Sequence, residues 1–443
     1  MQNDSQILKP QAAPLVLGLA GFGTVGSGLI RILEENREAI IRRVGRDIRV
    51  KTILVRDPAK QRACATPAGA SFCGSQDILL NDPEIDVIVE LMGGLEAAGT
   101  LIKAALTAGK HVVTANKALL AEAGSELFTL AQDKGLFLGY EASVCGGVPV
   151  VQALRSALSA NEFSSLTGIL NGTCNYILSS MTINGTSFDA ALKQAQELGF
   201  AEADPTLDIG GFDTAHKLTL LIRLAWGVDY PYSALPITGI KGISPEDIQF
   251  AREFNYAIKL LGRARKDASG RIEAGVFPAM VPTSYLLARV GSSYNAVRME
   301  GNAVGSIFMH GKGAGDTPTG SAVAADIMEI ARGDRPNNLG YNLRSLPPAE
   351  IVPREDVISS FYIRLRVRDS IGVMRDVSTV LADHGISIEQ ALQKGMADVV
   401  PLIFMTHETK TKNMVNALAK LATFDFMAAE PVYYRVLPPP CND

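Results

Sequence analysis

Residues 15–26 read Leu15-Val16-Leu17-Gly18-Leu19-Ala20-Gly21-Phe22-Gly23-Thr24-Val25-Gly26. The first six carry no charge and no polar alternation, which suits a strand buried on both faces, as in a parallel sheet. The Gly-x-Gly-x-x-Gly that follows gives each glycine a task. Gly21 makes the turn, Gly23 lets a diphosphate approach the backbone, and Gly26 lets a helix pack on the strand. An amphipathic helix is expected over residues 29–43 and a second strand over 50–55. Strand, glycine loop, helix and strand in that order predict a Rossmann-type, doubly wound parallel α/β sheet. In such a sheet the first helix points its N-terminus at the phosphates.

The end of the second strand speaks to the choice of dinucleotide. An acid there suits the ribose 2′-hydroxyl of NAD, whereas an arginine suits the 2′-phosphate of NADP. Val55 is followed by Arg56 and then Asp57, so NADP(H) is the preferred cofactor and NAD(H) the alternative. Further strands are expected over 86–91, 111–114 and 137–141, with a helix over 101–108 closed by Gly109. Ligands bind outside the carboxyl ends of such strands. Asn116, Lys117 and Glu141 are therefore expected at the same crevice as the glycine loop.

Beyond Val148 the pattern changes to a mixed α+β half. Helices are expected over 152–159, 176–182 and 189–198, and strands over 165–170, 272–281 and 295–301. Between them lies the densest run of ionisable groups, Gly199 to Lys217, with Glu202, Asp204, Asp208, Asp213, His216 and Lys217. Asp213 and Lys217 are four apart and share one helix face. A surface ion pair there is worth only a few tenths of a kcal/mol. The helix turns apolar just beyond, and buried charges of this kind carry function more often than fold. A second glycine loop, residues 311–318, leads into a helix over 319–332 with Asp316 or Thr317 as its cap. Residues 333–356 are rich in Pro, Asn and Gly and read as a linker. The tail that follows has the order βαββαβ, a separate ferredoxin-like unit.

Composition narrows the function classes. The chain has 443 residues, 47% hydrophobic and 20% charged, with a net charge of −4. The balance disfavours a nucleic-acid or anionic-membrane surface, and no apolar run reaches membrane-span length. Residues 1–13 are polar and expected to be disordered, with no signal-peptide centre. Cys64, Cys73, Cys145, Cys174 and Cys441 show no metal-ligand spacing, so reduced thiols in a cytoplasmic protein are expected.

Six motifs together resemble the homoserine dehydrogenase family. They are residues 21–26, Thr114-Ala115-Asn116-Lys117, Glu141-Ala142-Ser143-Val144, residues 171–177, Gly210-Gly211-Phe212-Asp213-Thr214-Ala215-His216-Lys217 and residues 311–319. The tail, with Arg368-Asp369-Ser370-Ile371-Gly372-Val373, resembles an ACT domain. No kinase-like segment precedes the glycine loop, which fits the monofunctional type. The resemblance implies a dinucleotide-binding domain over 14–147, a substrate-binding and dimerisation domain with a mixed sheet over 148–310, and a return segment over 311–340. A linker over 341–357 and an ACT domain over 358–437 would follow.

The resemblance further implies interconversion of L-homoserine and L-aspartate 4-semialdehyde, in a homodimer or homotetramer. Gly21, Phe22, Gly23, Thr24, Val25, Gly26, Arg56, Lys117 and Gly315 would bind the nicotinamide nucleotide. Glu202 would bind the substrate amine, with Asp208 and Asp213 at the acidic end of the pocket. Lys217 would handle the proton on the substrate oxygen, with Asp213 orienting it and Lys117 the other lysine at the crevice. Glu141 and the carbonyls of Val144, Gly146 and Val148 would hold a monovalent cation such as Na⁺. Asp369, Gly372 and Val373 would shape an effector site, with L-threonine the expected inhibitor. The competing reading is a semialdehyde dehydrogenase with a cysteine nucleophile, Cys174 or Cys145, each on a turn where a thiolate could be activated.

Overall fold

The computed structural model describes residues 12–60, 62, 66–334, 336–395 and 397–438. Residues 1–11 of the expected N-terminal extension, Cys64 and Cys441 lie outside the described residues. The chain begins β1 (Leu15–Ala20), α1 (Thr24–Glu35), α2 (Arg37–Val44), β2 (Ile48–Leu54), β3 (Ser71–Cys73), α3 (Gln76–Asn81), β4 (Val87–Glu90), α4 (Glu96–Thr107), β5 (His111–Thr114), α5 (Lys117–Lys134) and β6 (Leu138–Gly139). It continues α6 (Val150–Gln152), β7 (Phe163–Ile169), α7 (Gly172–Asn184), α8 (Phe188–Glu197), α9 (Thr206–Ile209), α10 (Phe212–Trp226), α11 (Pro245–Glu253), β8 (Tyr256–Lys266), β9 (Ile272–Pro282) and α12 (Leu286–Arg289). The last stretch is β10 (Tyr294–Gly301), β11 (Gly305–Lys312), α13 (Asp316–Arg332), β12 (Ile358–Arg368), α14 (Val373–Asp383), β13 (Ile388–Gln393), β14 (Val399–Thr406), β15 (Thr409–Lys410), α15 (Thr411–Leu421) and β16 (Val432–Val436).

Two compact units emerge. The first holds residues 1–163, 216–234 and 295–349; the second holds 164–215, 235–294 and 350–443. The division thus cuts the chain at other points than the expected 147/148 and 310/311, and it falls inside α10, after Ala215.

In the first unit a parallel sheet runs in the order β3-β2-β1-β4-β5-β6. The order reverses between β1 and β4, the switch point where such sheets take ligands. The strands are short and almost wholly buried, and Leu17, Leu19, Val87, Val89 and Val113 form the core with Leu29, Ile30 and Leu33 of α1. Helix α13 completes that core with Val323, Ile327 and Ile330. It approaches α1 so closely that a Cβ on Gly28 would lie 2.1 Å from the Asp316 carbonyl oxygen. One on Gly320 would lie 2.8 Å from the Leu29 nitrogen. Side-chain-free positions on both helices are what permit this crossing.

Three local expectations change. The helix expected over 29–43 starts at Thr24, directly out of the glycine loop, and is interrupted at Asn36, whose ψ of 11° departs from helix. Asparagine is a weak helix former, so the interruption falls there. The strand expected over 137–141 ends at Gly139, and Glu141–Ser143 form a 3₁₀ turn. Its cause is α13: the Glu141 amide donates to the Asp326 carboxylate at 2.9 Å, drawing the chain off the sheet. The helix expected over 319–332 starts at Asp316 and is capped by Gly315, at φ 132°, not by Asp316 or Thr317. Asp316 instead accepts from the Thr317 amide and pairs with Arg31 at 3.1 Å.

The second unit carries strands in the order β7-β8-β9-β16-β12-β14-β13. Every residue of β9 is buried. The tail part, β16-β12-β14-β13, is antiparallel throughout and has the ferredoxin-like order. Phe361, Ile363 and Leu365 of β12 pack with Val377 and Leu381 of α14 and Met414 and Leu421 of α15. The tail is not separate, as its linker-like lead suggests. Strand β16 pairs in parallel with β9, at Arg435↔Ala279 and Val436↔Met280. Asp247, fully buried on α11, clamps it further, accepting from Arg364 at 2.6 Å and from the hydroxyls of Tyr362 and Tyr434 at 3.2 Å each. A buried carboxylate so fully bonded would be costly to strip of any one donor.

Candidate active site

The glycine loop lies at the carboxyl end of β1, beside the switch point. Gly21 sits at φ 101°, and a Cβ there would lie 2.6 Å from the Leu91 carbonyl oxygen. Gly26 is equally crowded, 2.7 Å from the Gly21 carbonyl oxygen. Gly23 differs: a Cβ there meets no protein atom within 4 Å. No protein packing demands a glycine at that position, and the space beside it is open to a ligand. Gly23 is also the N-cap of α1, with no side chain bonded to the helix's first amides. Those free donors and the helix dipole suit a phosphate. The residues present fit a dinucleotide. Phe22, Thr24 and Val25 flank this end of the helix.

At the end of β2, Arg56 is exposed. Among the described residues no hydrogen bond or ion pair holds its guanidinium. The neighbouring Asp57 is occupied, its carboxylate accepting the Ala59 amide at 3.0 Å.

The next two strand ends are tied together. Glu90, fully buried, accepts the Met92 and Gly93 amides and the Thr114 hydroxyl, the last at 2.6 Å. Asn116 donates to the Gly94 carbonyl at 2.6 Å and caps α5 through the Leu119 amide. Lys117 is thus not a strand-end residue but the first residue of an 18-residue helix. A cation at a helix N-terminus opposes the helix dipole, so its place there is not explained by helix stability. Helix α10 is held to α5 by two sets of bonds. His216 meets Glu122 at 3.0 Å and stacks on Tyr232 at 4.4 Å between ring centroids. Arg223 donates to the carbonyls of Leu120 and Ala121 and to Asp229. Lys117 and Lys217 therefore stand on two joined helices, and Lys217 is 8% exposed.

In the second unit three residues converge. Asn171, the N-cap of α7, donates its amide hydrogens to Asp208 at 2.7 Å and to Asp213 at 2.8 Å. Its carbonyl oxygen accepts the Cys174 amide at 2.8 Å. Asn171 thus ties the two carboxylates, one from α9 and one from α10, to the start of α7. Asn171 was not singled out from sequence as a site residue, though an Asn opening Asn-Gly-Thr-Cys carries a helix-cap signal. Glu202 is not in this cluster: its side chain is exposed, and its carbonyl accepts from Gln196. The cysteine reading loses its footing. Cys174 is fully buried on α7 and its thiol donates to the Asp208 carbonyl. Cys145 is 1% exposed.

Glu141 is 2% exposed. Its carboxylate turns onto the amides of Val151 and Gln152, at 3.1 and 2.6 Å, not toward the glycine loop at β1. Burial pushes its pKa up to about 7, against these two bonds, which lower it. The adjoining turn lies against the second glycine loop: the Gly147 amide donates to the Lys312 carbonyl, and a Cβ on Gly146 would lie 2.8 Å from that of Gly313. A buried acid next to carbonyl-bearing glycine turns fits a hard cation on oxygen ligands. Among the described residues no group of three or more His, Cys, Asp or Glu side chains is placed to hold a metal. In the tail, Asp369, Gly372 and Val373 line a cavity of about 300 Å³ with Arg375 and Gln393.

The family model "Homoserine dehydrogenase, NAD binding domain" matches residues 21–141, "Homoserine dehydrogenase" residues 149–328 and "ACT domain" residues 361–423. The homoserine dehydrogenase of Helicobacter pylori is 44% identical over 426 residues, covering 95% of this chain and 99% of that one. The chain belongs to the homoserine dehydrogenase family. That of Neisseria gonorrhoeae is 41% identical over 420 residues, covering 93% and 96%. The solved homoserine dehydrogenase from Thiobacillus denitrificans matches with a TM-score of 0.91 at 42% identity, covering 96% of this chain and 99% of that one. As a member of the homoserine dehydrogenase family the chain is an oxidoreductase with a nicotinamide-nucleotide-binding domain and an ACT domain. Among the described residues no helix is long and apolar enough to cross a membrane.

Proposed function

We propose that the protein interconverts L-homoserine and L-aspartate 4-semialdehyde with NADP(H) as preferred cofactor, under feedback from L-threonine. The convergence of Asp208 and Asp213 on Asn171 carries the substrate reading. Paired carboxylates attract the ammonium group that homoserine bears, and Glu202, on the exposed turn before them, adds a third negative charge. The bound nicotinamide supplies hydride acceptance and return. Lys217 takes the proton from the substrate hydroxyl and gives it back to the aldehyde oxygen. Asp213, one turn earlier on α10, orients the Lys217 side chain, and Lys117 holds the nucleotide.

The preference for NADP(H) rests on the strand end. Arg56 is open to a 2′-phosphate, and the carboxylate beside it is engaged by its own turn. Glu141, with the carbonyls of Val144, Gly146 and Val148, holds a monovalent cation. Such a charge offsets the burial that otherwise raises the Glu141 pKa. The cavity at Asp369, Gly372 and Val373 receives threonine, the second glycine loop at Gly315 closes against the nucleotide, and the chain assembles as a homodimer or homotetramer in the cytoplasm. The test is the rate of homoserine oxidation with NADP⁺ and with NAD⁺, each with and without threonine. A higher kcat/KM with NADP⁺ and inhibition by threonine are expected. Equal use of both nucleotides would remove the Arg56 reading, and indifference to threonine would remove the effector reading.

A further inference from the structure

The second unit carries a partly open cavity of about 310 Å³ where β9, β16 and the turns around Lys241 and Arg354 meet. That volume is at the lower end of small-molecule sites. Its walls are apolar or aromatic, with Ile243, Val276, Phe277 and Tyr433 among them. Its charged lining has one sign: Lys241, Arg354 and Arg435 face it, and among the described residues no aspartate or glutamate lines it.

Arg435 is the inner member. Its side chain is 14% exposed and its guanidinium stacks over Phe277, 4.4 Å from the ring centroid. The carboxylate nearest it, Glu273, stands 3.8 Å away and also takes Arg265. One carboxylate between two guanidiniums leaves positive charge in excess. Burial lowers the Arg435 pKa to about 10; Glu273 opposes this, and Arg263 and Arg354 add to it. A half-buried guanidinium without a full counter-charge is costly, and an entering anion relieves that cost. Inorganic anions would satisfy the charge but leave the aromatic walls wet. A zwitterionic amino acid would bring an ammonium to a lining that offers it no carboxylate.

We infer that this cavity binds a small carboxylate with an aromatic or branched apolar body, its carboxylate on Arg435 and Arg354 and its body against Phe277 and Tyr433. The site is distinct from the tail turn at Asp369–Val373. It joins the catalytic half's sheet to the tail, since Arg435 belongs to β16 and Phe277 to β9. An occupant there holds the two strands together and raises thermal stability.

The experiment is isothermal titration of the full chain with phenylacetate, phenylacetamide and inorganic phosphate, with thermal melts alongside. Saturable one-site binding of phenylacetate is expected with Kd below about 1 mM. The neutral amide and phosphate should each bind at least tenfold more weakly. Arg435→Gln and, as a less buried variant that keeps the core, Arg354→Gln should each weaken phenylacetate at least fivefold; Asp369→Asn should leave it unchanged. Equal binding of the amide or of phosphate overturns the inference. So does absence of saturation, retention of affinity in a folded Arg354→Gln protein, or loss of binding in Asp369→Asn. Heat and melting temperature are read without turnover, so failure here is separable from failure of the dehydrogenase reading.

Discussion

Gly23 offers a clean separation of ligand binding from folding. Its backbone is extended, at φ −91° and ψ −153°, and a Cβ would meet no protein atom within 4 Å. Gly23→Ala should therefore leave the fold unstrained, and the narrower unfolded ensemble should add about 0.4–1 kcal/mol of stability. The same methyl occupies the space where a diphosphate would lie against the first amides of α1. Displacing it by an ångström costs the equivalent of one charge-assisted hydrogen bond, worth about 1.5–3 kcal/mol. At 1.4 kcal/mol per decade that is roughly a ten- to hundredfold loss of nucleotide affinity. Gly26→Ala is the control. Its Cβ would lie 2.7 Å from the Gly21 carbonyl oxygen, and overpacking of that kind costs about 1–3 kcal/mol. Urea melts and titrations of NADPH fluorescence on both variants make the comparison. If Gly23→Ala binds NADPH within twofold of the wild type, or is destabilised as much as Gly26→Ala, the cradle is misassigned.

Asn171→Ala removes a helix cap worth about 1 kcal/mol and a donor shared by two carboxylates, so a loss of about 2–3 kcal/mol in urea unfolding is expected. The KM for homoserine should rise more than tenfold in the same protein; an unchanged KM would detach the cluster from the substrate. Arg56→Ser should lower kcat/KM for NADP⁺ at least tenfold and leave that for NAD⁺ within about twofold, read in parallel steady-state assays. Lys259 is 5% exposed on β8, donating to Asn175 and the Val290 carbonyl, and burial lowers its pKa to about 8 from an ordinary 10.5. The folded state then holds fewer protons than the unfolded one between those values, so stability should rise with pH across that window. The rise is at most about 3 kcal/mol. Lys259→Met should lack that increment, and parallel pH profiles of the urea midpoint in the two proteins would contradict it.

What could be read in advance follows from how local the causes are. The β1 run and the three glycines are local, and each glycine's need is met within a few residues or at the neighbouring strand end. The spacing of Asp213 and Lys217 is local too, fixed by one helix. The part Asn171 plays is not legible in sequence, because its two acid partners lie 37 and 42 residues away and only tertiary folding brings them together. Glu141 read as a strand end because the pull of Asp326 on its amide comes from a helix 185 residues on. Asp316 and Thr317 are the better caps of α13 by residue type, but the positive φ of 132° that the chain needs at its entry puts Gly315 there instead. The tail read as free-standing because its pattern is complete in itself. That β16 has a second edge satisfied by β9 is a choice of partner, and strand pattern does not encode partners.

Lys217 as the group that moves the proton is open to a direct measurement. Lys217→Met keeps the length and burial of the side chain and removes the amine. Single-turnover homoserine oxidation with NADP⁺, alongside NADPH titration, measures chemistry and nucleotide binding in one protein. A rate reduced by about 10²–10⁴-fold is expected for loss of an acid–base group, with the NADPH Kd within twofold of the wild type. A rate within tenfold of the wild type would rule out Lys217 as the acid–base group and leave Lys117 as the remaining lysine.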